Sequence, residues 1–235
     1  MPRGDRSLKV GDTRREPAID LPLIGRGRDA DVFALDDDRV LRRNRDGRGV
    51  GDQARLLTFL HEAGYPVPLV HDVSGPDLVM QRLHGPVALE VSVRGGPAHG
   101  ALLADLHNRL HRIAAPDWLP GWRAGDDRVL HLDLHPANVI LTDDGPVVID
   151  WVNARAGDPA LDVASTVVLL RSSQPDGVDP AVVESLRHRI LDAFLPKVDD
   201  DPTPQLANAI RGRQRDANLL PREAEALREW LERIA

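Results

Sequence analysis

The stretch from His131 to Trp151 reads His-Leu-Asp-Leu-His-Pro-Ala-Asn-Val-Ile-Leu-Thr-Asp-Asp-Gly-Pro-Val-Val-Ile-Asp-Trp. Asp133, Asn138 and Asp150 stand within or beside apolar runs, and burying such groups is costly unless they are paired or bind a metal. A loop with one Asp, an Asn five residues later and a second Asp at the end of a strand is the arrangement that Mg-ATP phosphoryl transfer needs. One carboxylate accepts a hydroxyl proton, while an amide and the second carboxylate hold Mg²⁺ on the phosphates.

With this pattern the chain resembles the protein-kinase-like fold, and within it the aminoglycoside phosphotransferase and choline kinase group. The run His-x-Asp-x-x-x-x-Asn, followed by Ile-Asp-Trp, is that group's version of the kinase catalytic loop and metal-binding motif. The resemblance implies that Asp133 is the catalytic base, that Asn138 and Asp150 bind Mg²⁺, and that His131 holds the loop. It covers nearly the whole chain from about residue 20 and is weakest after residue 172.

The composition limits which classes of protein and which partners are possible. The 235 residues are 42% hydrophobic and 29% charged, which is ordinary for a globular protein of one domain or two small lobes. No apolar run approaches membrane-spanning length and the start lacks a signal-peptide core, so we expect a cytoplasmic protein without a membrane partner. The net charge of −7 resides in residues 84–235, which disfavours nucleic acid and mildly favours a cationic small-molecule acceptor. Cysteine is absent, which excludes disulfides and thiolate metal sites.

Residues 19–83 show the pattern of a sheet with one helix. A three-stranded antiparallel meander is predicted over residues 19–43, a helix over 50–63, and two further strands on either side of a turn at 74–77. The resemblance implies that this region is the nucleotide-binding lobe of an α+β, bilobal protein-kinase-like fold. Residues 1–18 are polar, and we expect a flexible N-terminus there.

Residues 84–235 are predicted to form a mostly helical second lobe with the catalytic loop and the acceptor site. Only Trp151–Gly157 separate Asp150 from the next helix, which is too short for the activation segment of a regulated protein kinase. Asp162, on that helix, matches the family residue that braces the catalytic loop. The predicted helices cover 98–113 and about 159–171, 180–195, 203–219 and 222–234.

The run Gly25-x-Gly27-x-x-Ala30-x-Val32 resembles the kinase phosphate loop, with Ala at the third glycine position. Glycines allow backbone N–H groups to approach a phosphate without an intervening Cβ. Arg26, or Arg28, could also reach phosphate, although an exposed Arg at a hairpin tip is usually only solvated.

Val40-Leu41-Arg42 stands where kinases carry Ala-x-Lys. Val40 and Arg42 share one face of a strand, so Val40 would cover the adenine and Arg42 would reach the phosphates, and we favour Arg42 over Arg43. The following helix should present a Glu to this cation, but the best candidate is Gln53. A neutral amide holds a guanidinium more weakly than a carboxylate does.

The resemblance alone implies the adenine contacts, with Met80 behind the base and backbone groups of Gln81 and Leu83 bonded to it. The expected activity is ATP- and Mg²⁺-dependent phosphotransfer to a hydroxyl of a small molecule, which could be cationic or aminoglycoside-like. The alternative is a weak or inactive kinase-like module that binds nucleotide and acts through a partner. Gln53 and the short stretch before His131 motivate that alternative. The acceptor, the choice between ATP and GTP, and the oligomeric state stay open.

Three further sets of residues allow two interpretations each. His107 and His111 are spaced like metal ligands on a helix, but no third ligand accompanies them, so structural roles are favoured. Trp118 and Trp122 could line the acceptor site or anchor their loop to the core. His135 lies near the acceptor or serves in structural packing.

Overall fold

A five-stranded antiparallel sheet forms the first half of the structure, a computed structural model that describes residues 21–27, 29–121, 127–174, 178–216 and 219–234. Along the chain, helix α1 (Gly51–Glu62) lies between the third and fourth strands of this sheet, whose spatial order is β1-β2-β3-β5-β4. The predicted flexible segment 1–18, Arg28 and Trp122 lie outside the described residues. The strands are β1 (Leu23–Arg26), β2 (Ala30–Ala34), β3 (Arg39–Asn44), β4 (Val70–Ser74) and β5 (Asp77–Gln81).

The register of the sheet gathers several predicted site residues on one face. Val32 lies opposite Arg42, and Val40 lies opposite Met80. Alternate residues of a strand share a face, so these four side chains lie on the same side as Leu78. Leu78 is fully buried in the cluster that contains the leucines of α1. Of the five residues named on this face, four are apolar and only Arg42 is charged.

Helices and two short antiparallel pairs of strands make up the regular structure in the rest of the described residues, which confirms the predicted α+β fold. Strand β6 (Arg128–Leu130) pairs with β9 (Arg155–Gly157), and β7 (Val139–Thr142) pairs with β8 (Gly145–Val148). The helices are α2 (Ala88–Val93), α3 (Gly100–Leu110), α4 (Pro159–Ser172), α5 (Pro180–Phe194), α6 (Leu206–Arg213) and α7 (Pro221–Ile234).

Two helices differ from the sequence prediction. The helix predicted over 203–219 is a 3₁₀ turn at Thr203–Gln205 followed by α6, which ends at Arg213. The polar run from Arg211 to Asp216 has no apolar residue that could hold a further turn against the core. The sequence prediction also missed α2, because six residues are too few to show helical periodicity.

The main hydrophobic core connects the sheet with the loop between β6 and β7. It contains Leu60 of α1, Leu106 of α3 and Phe194 of α5, together with Leu134 and Trp151. The candidate catalytic loop is thus anchored in the core that the two halves of the molecule share. Within the described ranges, no helix is long and apolar enough to cross a membrane.

Candidate active site

Asp162 fixes the backbone at the start of the loop between β6 and β7. Its fully buried carboxylate accepts the N–H of His131 at 3.0 Å and the N–H of Leu132 at 2.6 Å. Leu132 has a φ of 63°, a left-handed conformation that costs a non-glycine residue about 1–2 kcal/mol. Burial would raise the pKa of Asp162, but hydrogen bonding to His111 and the neighbouring imidazoles hold that pKa below its usual range. An ionised carboxylate thus braces the loop where the sequence predicts a brace.

His131 supports the loop from inside the core. Its Nδ1 accepts the N–H of Asp133 at 3.2 Å, and its Nε2 lies 3.0 Å from the carbonyl oxygen of Ile149. One tautomer, with the proton on Nε2, satisfies both contacts. The ring also contacts the indole of Trp151, with centroids 4.5 Å apart. These contacts tie the loop to the segment that carries Asp150.

Asn138 and Asp150 offer oxygen ligands at neighbouring places. The amide Nδ2 of Asn138 donates to the carbonyl oxygen of Asp133 at 2.9 Å, and the N–H of Ile149 donates to the carbonyl oxygen of Asn138 at 3.0 Å. In the part of the chain that the structure describes, no hydrogen bond engages Oδ1 of Asn138. Asp150 follows β8 in a left-handed conformation, and its side chain is exposed.

This donor set fits Mg²⁺ held against a nucleotide. Mg²⁺ is commonly bound by one or two protein oxygens, with phosphate oxygens and water completing its shell. One amide oxygen and one exposed carboxylate supply that number. The described residues contain no cluster of three or more His, Asp or Glu that could hold a metal without such a nucleotide.

His135 lies beside Asp133. Its Nδ1 accepts the N–H of Ala137 at 3.2 Å, and its Nε2 is 3.8 Å from Oδ1 of Asp133. Burial lowers the pKa of His135 to about 4, and the nearby His131 and Arg213 add to this effect. The ring is therefore uncharged near neutral pH.

Arg42 carries a positive charge on the face of the sheet that holds Val32 and Met80. Its Nη1 donates to Oε1 of Gln53 at 2.9 Å and to Oδ1 of Asn44 at 3.0 Å. Burial lowers the pKa of Arg42, while attraction to Asp150 opposes that effect. An arginine nonetheless stays protonated in proteins. The guanidinium and the carboxylate of Asp150 therefore act on each other across the space between the sheet and β8.

Arg43 occupies the opposite face of the sheet. Its guanidinium binds both carboxylate oxygens of Asp77, the residue directly opposite it on β5. The sequence favoured Arg42 over Arg43 as the phosphate contact, and the geometry of the strand turns only Arg42 toward α1 and Asp150.

The β1–β2 hairpin holds the glycines of the predicted phosphate loop. Gly25 lies opposite Val32, and a Cβ at Gly25 would meet Val32 at an ordinary 3.6 Å. Packing within the protein therefore does not require glycine there. The N–H of Gly27 donates to the carbonyl oxygen of Ala30 at 2.9 Å and closes the turn. Arg26 is 73% exposed and lies 3.8 Å from Asp31, as expected for a solvated hairpin tip.

The segment after β5 offers fewer backbone groups than the resemblance implies. The N–H of Gln81 donates to the carbonyl oxygen of Leu69 at 2.8 Å, so only the carbonyl of Gln81 could serve a base. The N–H of Leu83 makes no backbone hydrogen bond among the described residues. Met80 is half-buried opposite Val40, and the pair forms an apolar surface beside these groups.

The open alternatives for Trp118 and the helical histidines are resolved by their contacts. Trp118 packs edge-on against Phe59, with centroids 6.1 Å apart, and lies under the guanidinium of Arg55, so it anchors its loop on α1. The ring of His107 forms hydrogen bonds with the carbonyl oxygen of Leu103 through Nδ1 and with the hydroxyl of Thr166 through Nε2. His111 lies between Asp162 and Asp200.

Sequence reasoning missed three residues of this arrangement. Asn44 is two residues from Arg42 on the same strand, a spacing that could have revealed it as a partner. Asp29 lies close enough to attract Arg42. Asp200 contacts His111, which in turn contacts Asp162, the residue that braces the loop. No local pattern indicates the contact of Asp200, because 89 residues separate it from His111.

The model of the phosphotransferase enzyme family (APH) matches residues 20–128 and 116–196, which together make up most of the chain. The protein therefore belongs to this phosphotransferase family, as its resemblance to aminoglycoside phosphotransferases and choline kinases predicts. No curated protein sequence matches the chain.

Solved structures share the fold at low sequence identity. The chain is similar to the ADP-bound aminoglycoside phosphotransferase APH(2'')-Ib, with 14% identity, a TM-score of 0.57 and coverage of 93% of both chains. The streptomycin–ATP ternary complex of APH(2'')-IIa is 18% identical, with a TM-score of 0.55 and coverage of 83% of this chain and 85% of that one. A choline/ethanolamine kinase family protein from Mesorhizobium loti is 13% identical, with a TM-score of 0.60 and coverage of 91% and 87%. These likenesses show the protein-kinase-like fold.

Proposed function

We propose that this phosphotransferase moves the γ-phosphate of Mg-ATP to a hydroxyl group of a small, cationic or aminoglycoside-like molecule. The observation that carries the proposal is the braced loop, which presents Asp133 beside the amide of Asn138, with Asp150 close by and Arg42 on the facing sheet. Membership of the phosphotransferase family supports the reaction class. Similar structures hold ADP or ATP and others hold GDP, which supports a purine nucleotide as the donor.

Asp133 would take the proton of the acceptor hydroxyl. Its carboxylate is 25% exposed, so an acceptor can reach it, and the backbone on both sides is held by hydrogen bonds. A positioned general base contributes typically about 10²- to 10⁴-fold to a rate. The uncharged ring of His135 at 3.8 Å does not neutralise the base.

Asn138 and Asp150 would hold Mg²⁺, which when bound neutralises charge on the β- and γ-phosphates. Arg42, oriented by Gln53 and Asn44, would bind the α- and β-phosphates from the sheet. A planar guanidinium suits phosphate oxygens, which it can bind in pairs.

The remaining nucleotide contacts follow from the shared face of the sheet and from the segment after it. The apolar side chains of Val32, Val40 and Met80 would contact the adenine, and backbone groups of Gln81 and Leu83 would hydrogen-bond to it. The phosphates would lie against Gly25, Arg26 and Gly27.

The acceptor class rests on the short link after Asp150 and on charge. That link is a 3₁₀ turn at Trp151–Asn153 followed by β9, which pairs with β6, and it leaves no long segment for docking a protein substrate. A net charge of −7 favours a cationic acceptor. Streptomycin in one similar structure, and the choline/ethanolamine kinase family of another, agree with such a cation.

The test combines nucleotide binding with turnover. We expect calorimetry to show ATP binding that strengthens when Mg²⁺ is added, and ADP formation to rise with a cationic alcohol such as choline, ethanolamine or streptomycin. Asp133→Asn should lower turnover by about 10²-fold or more while nucleotide binding is retained. Asp143→Asn, an exposed acid in the β7–β8 turn, is the matched control and should behave like the wild type.

Two outcomes would redirect the proposal. Absence of Mg²⁺-dependent nucleotide binding would overturn it. Nucleotide binding without turnover on any acceptor would favour the alternative, a weak or inactive module that acts through a partner. The observation behind that alternative is the neutral Gln53 at the position of the usual acid.

A further inference from the structure

His111 lies between two carboxylates at the end of α3. Its Nε2 is 3.2 Å from Oδ2 of Asp162, its Nδ1 is 2.8 Å from Oδ2 of Asp200, and its side chain is only 4% exposed. A neutral imidazole has one N–H and can donate to only one of these oxygens, whereas an imidazolium donates to both. Burial would lower the pKa of His111, but the two carboxylates raise it above its ordinary value.

Asp200 is held in place by a loop that is itself fixed to α3. The side-chain amide of Asn108 donates to the carbonyl oxygen of Lys197 at 2.9 Å and accepts the N–H of Asp199 at 2.9 Å. These two bonds set the path of the chain just before Asp200. The match to the family model ends at residue 196, so Asp200 lies beyond it.

Asp162 transmits the contact to the catalytic loop. The same carboxylate oxygen that meets His111 accepts the N–H of His131, and the other oxygen accepts the N–H of Leu132 in its left-handed conformation. A continuous series of hydrogen bonds thus leads from Asp200 to the residue that precedes Asp133.

We propose that His111, protonated and held by Asp200, is a positioning residue for Asp133, because it keeps the carboxylate of Asp162 ionised and aligned on the loop. As a statement about turnover, this inference rests on the proposed function; as a statement about the loop, it stands independently.

The charges around His111 are few among the described residues. His107, on the same helix, has its ring centroid 5.6 Å away, and burial lowers its pKa to about 4, so it is uncharged near neutral pH. Asp162 faces His111 from α4 and Asp200 from the loop after α5. The adjacent Arg112 pairs with Asp199 at 3.8 Å in solvent. Removing the charge of Asp200 should therefore lower the pKa of His111.

The experiment compares Asp200→Asn with Asp199→Asn, which removes the same charge from the neighbouring, 66% exposed side chain. Nuclear magnetic resonance of the whole protein would follow the titration of the His111 imidazole and the hydrogen exchange of the Leu132 amide. In Asp200→Asn we expect His111 to lose its proton at lower pH and Leu132 to exchange about tenfold faster. In Asp199→Asn both should match the wild type.

The turnover arm uses Mg-ATP with water as acceptor, measured as ADP release between about pH 6 and pH 9. Asp200→Asn should lower kcat about tenfold on the alkaline side, with the fall beginning at lower pH, while KM for Mg-ATP stays within about twofold. A second variant, His111→Phe, should lower kcat without that pH dependence.

The possible results separate the inference from the proposed function. Unchanged His111 titration and Leu132 exchange in Asp200→Asn would overturn the inference, whatever the turnover. The expected resonance changes in a protein that shows no Mg²⁺-dependent nucleotide binding would sustain the positioning of the loop and count against the proposed function. An equal loss of kcat in Asp199→Asn would show a general effect of charge and would also overturn the inference.

Discussion

Arg42 donates a hydrogen bond from Nη1 to Oε1 of Gln53 at 2.9 Å and so joins the sheet to α1. The family pattern places a charged pair here, whereas this chain uses a neutral amide, with Asn44 as a second neutral acceptor. Neither amide carries a charge that would compensate the positive charge of the guanidinium. The amides also hold it less firmly, because hydrogen bonds to ionised partners are roughly twice as strong.

The two neighbouring arginines should respond differently to truncation. Arg42→Ala removes the cation on the face with Val32 and Met80, and we expect it to weaken Mg-ATP binding by about 10- to 100-fold. Arg43→Ala breaks the pair with Asp77 on the other face and should leave nucleotide affinity within about twofold. Calorimetry on both variants measures the difference, and equal losses of affinity would contradict the assignment of Arg42.

Restoring the acid should tighten the orientation of the cation. Gln53→Glu converts the hydrogen bond with Arg42 into a charge-assisted one, and we expect kcat/KM for Mg-ATP to rise by about two- to fivefold. Gln53→Ala should lower it by a similar factor. Steady-state kinetics with all three proteins provides the test, and identical values would show that this bond does not orient Arg42.

Gly100 should be a fold-critical glycine at the contact between α3 and α5. A Cβ there would lie 2.1 Å from the carbonyl oxygen of Ile190 and 2.9 Å from the Cβ of Ala193, so Gly100→Ala should lower the free energy of unfolding by about 1–3 kcal/mol or more. Gly212, inside α6, has nothing within 4 Å of such an atom, and Gly212→Ala should raise that free energy by about 0.5–1 kcal/mol. Urea unfolding compares the two, and a stabilising Gly100→Ala would disprove the close packing.

Stability should fall as the pH drops toward 4 because His107 is buried. Its pKa is about 4 in the folded protein and about 6.5 in an unfolded chain, so between these values the unfolded state binds more protons. The free energy of unfolding should therefore decrease across this window, with about 3 kcal/mol from His107 as an upper limit. His135, whose pKa burial also lowers to about 4, adds a decrease of the same sign.

His111 should act with the opposite sign. Its pKa is raised in the folded protein, so its contribution is complete below the unfolded value of about 6.5 and is lost as the pH rises through the folded pKa. Urea unfolding at several pH values measures both slopes. His188→Gln, which removes an exposed ring, is the control and should leave both unchanged.

Much of the candidate site could be proposed from the sequence because its residues are close in sequence. The spacing of Asp133, Asn138 and Asp150 within one loop and hairpin needs no tertiary information, and the alternation of β3 separates Arg42 from Arg43 by itself. The five strands and α1 followed from turn residues and periodicity in the same way. The short helix α2 and the end of α6 were missed, since each depends on packing that leaves little local pattern.

The reaction class could be assigned from the residue pattern alone, because the chemistry of phosphoryl transfer demands particular residue types at short, fixed spacings. How those residues are held depends on contacts that form only when the chain folds. Gln53 meets Arg42 from another element, Trp118 turns to α1, and His111 joins Asp200 to the brace at Asp162. Such contacts join residues from 11 to 89 positions apart, and their energy comes from burial and charge pairing that exist only after the chain has folded.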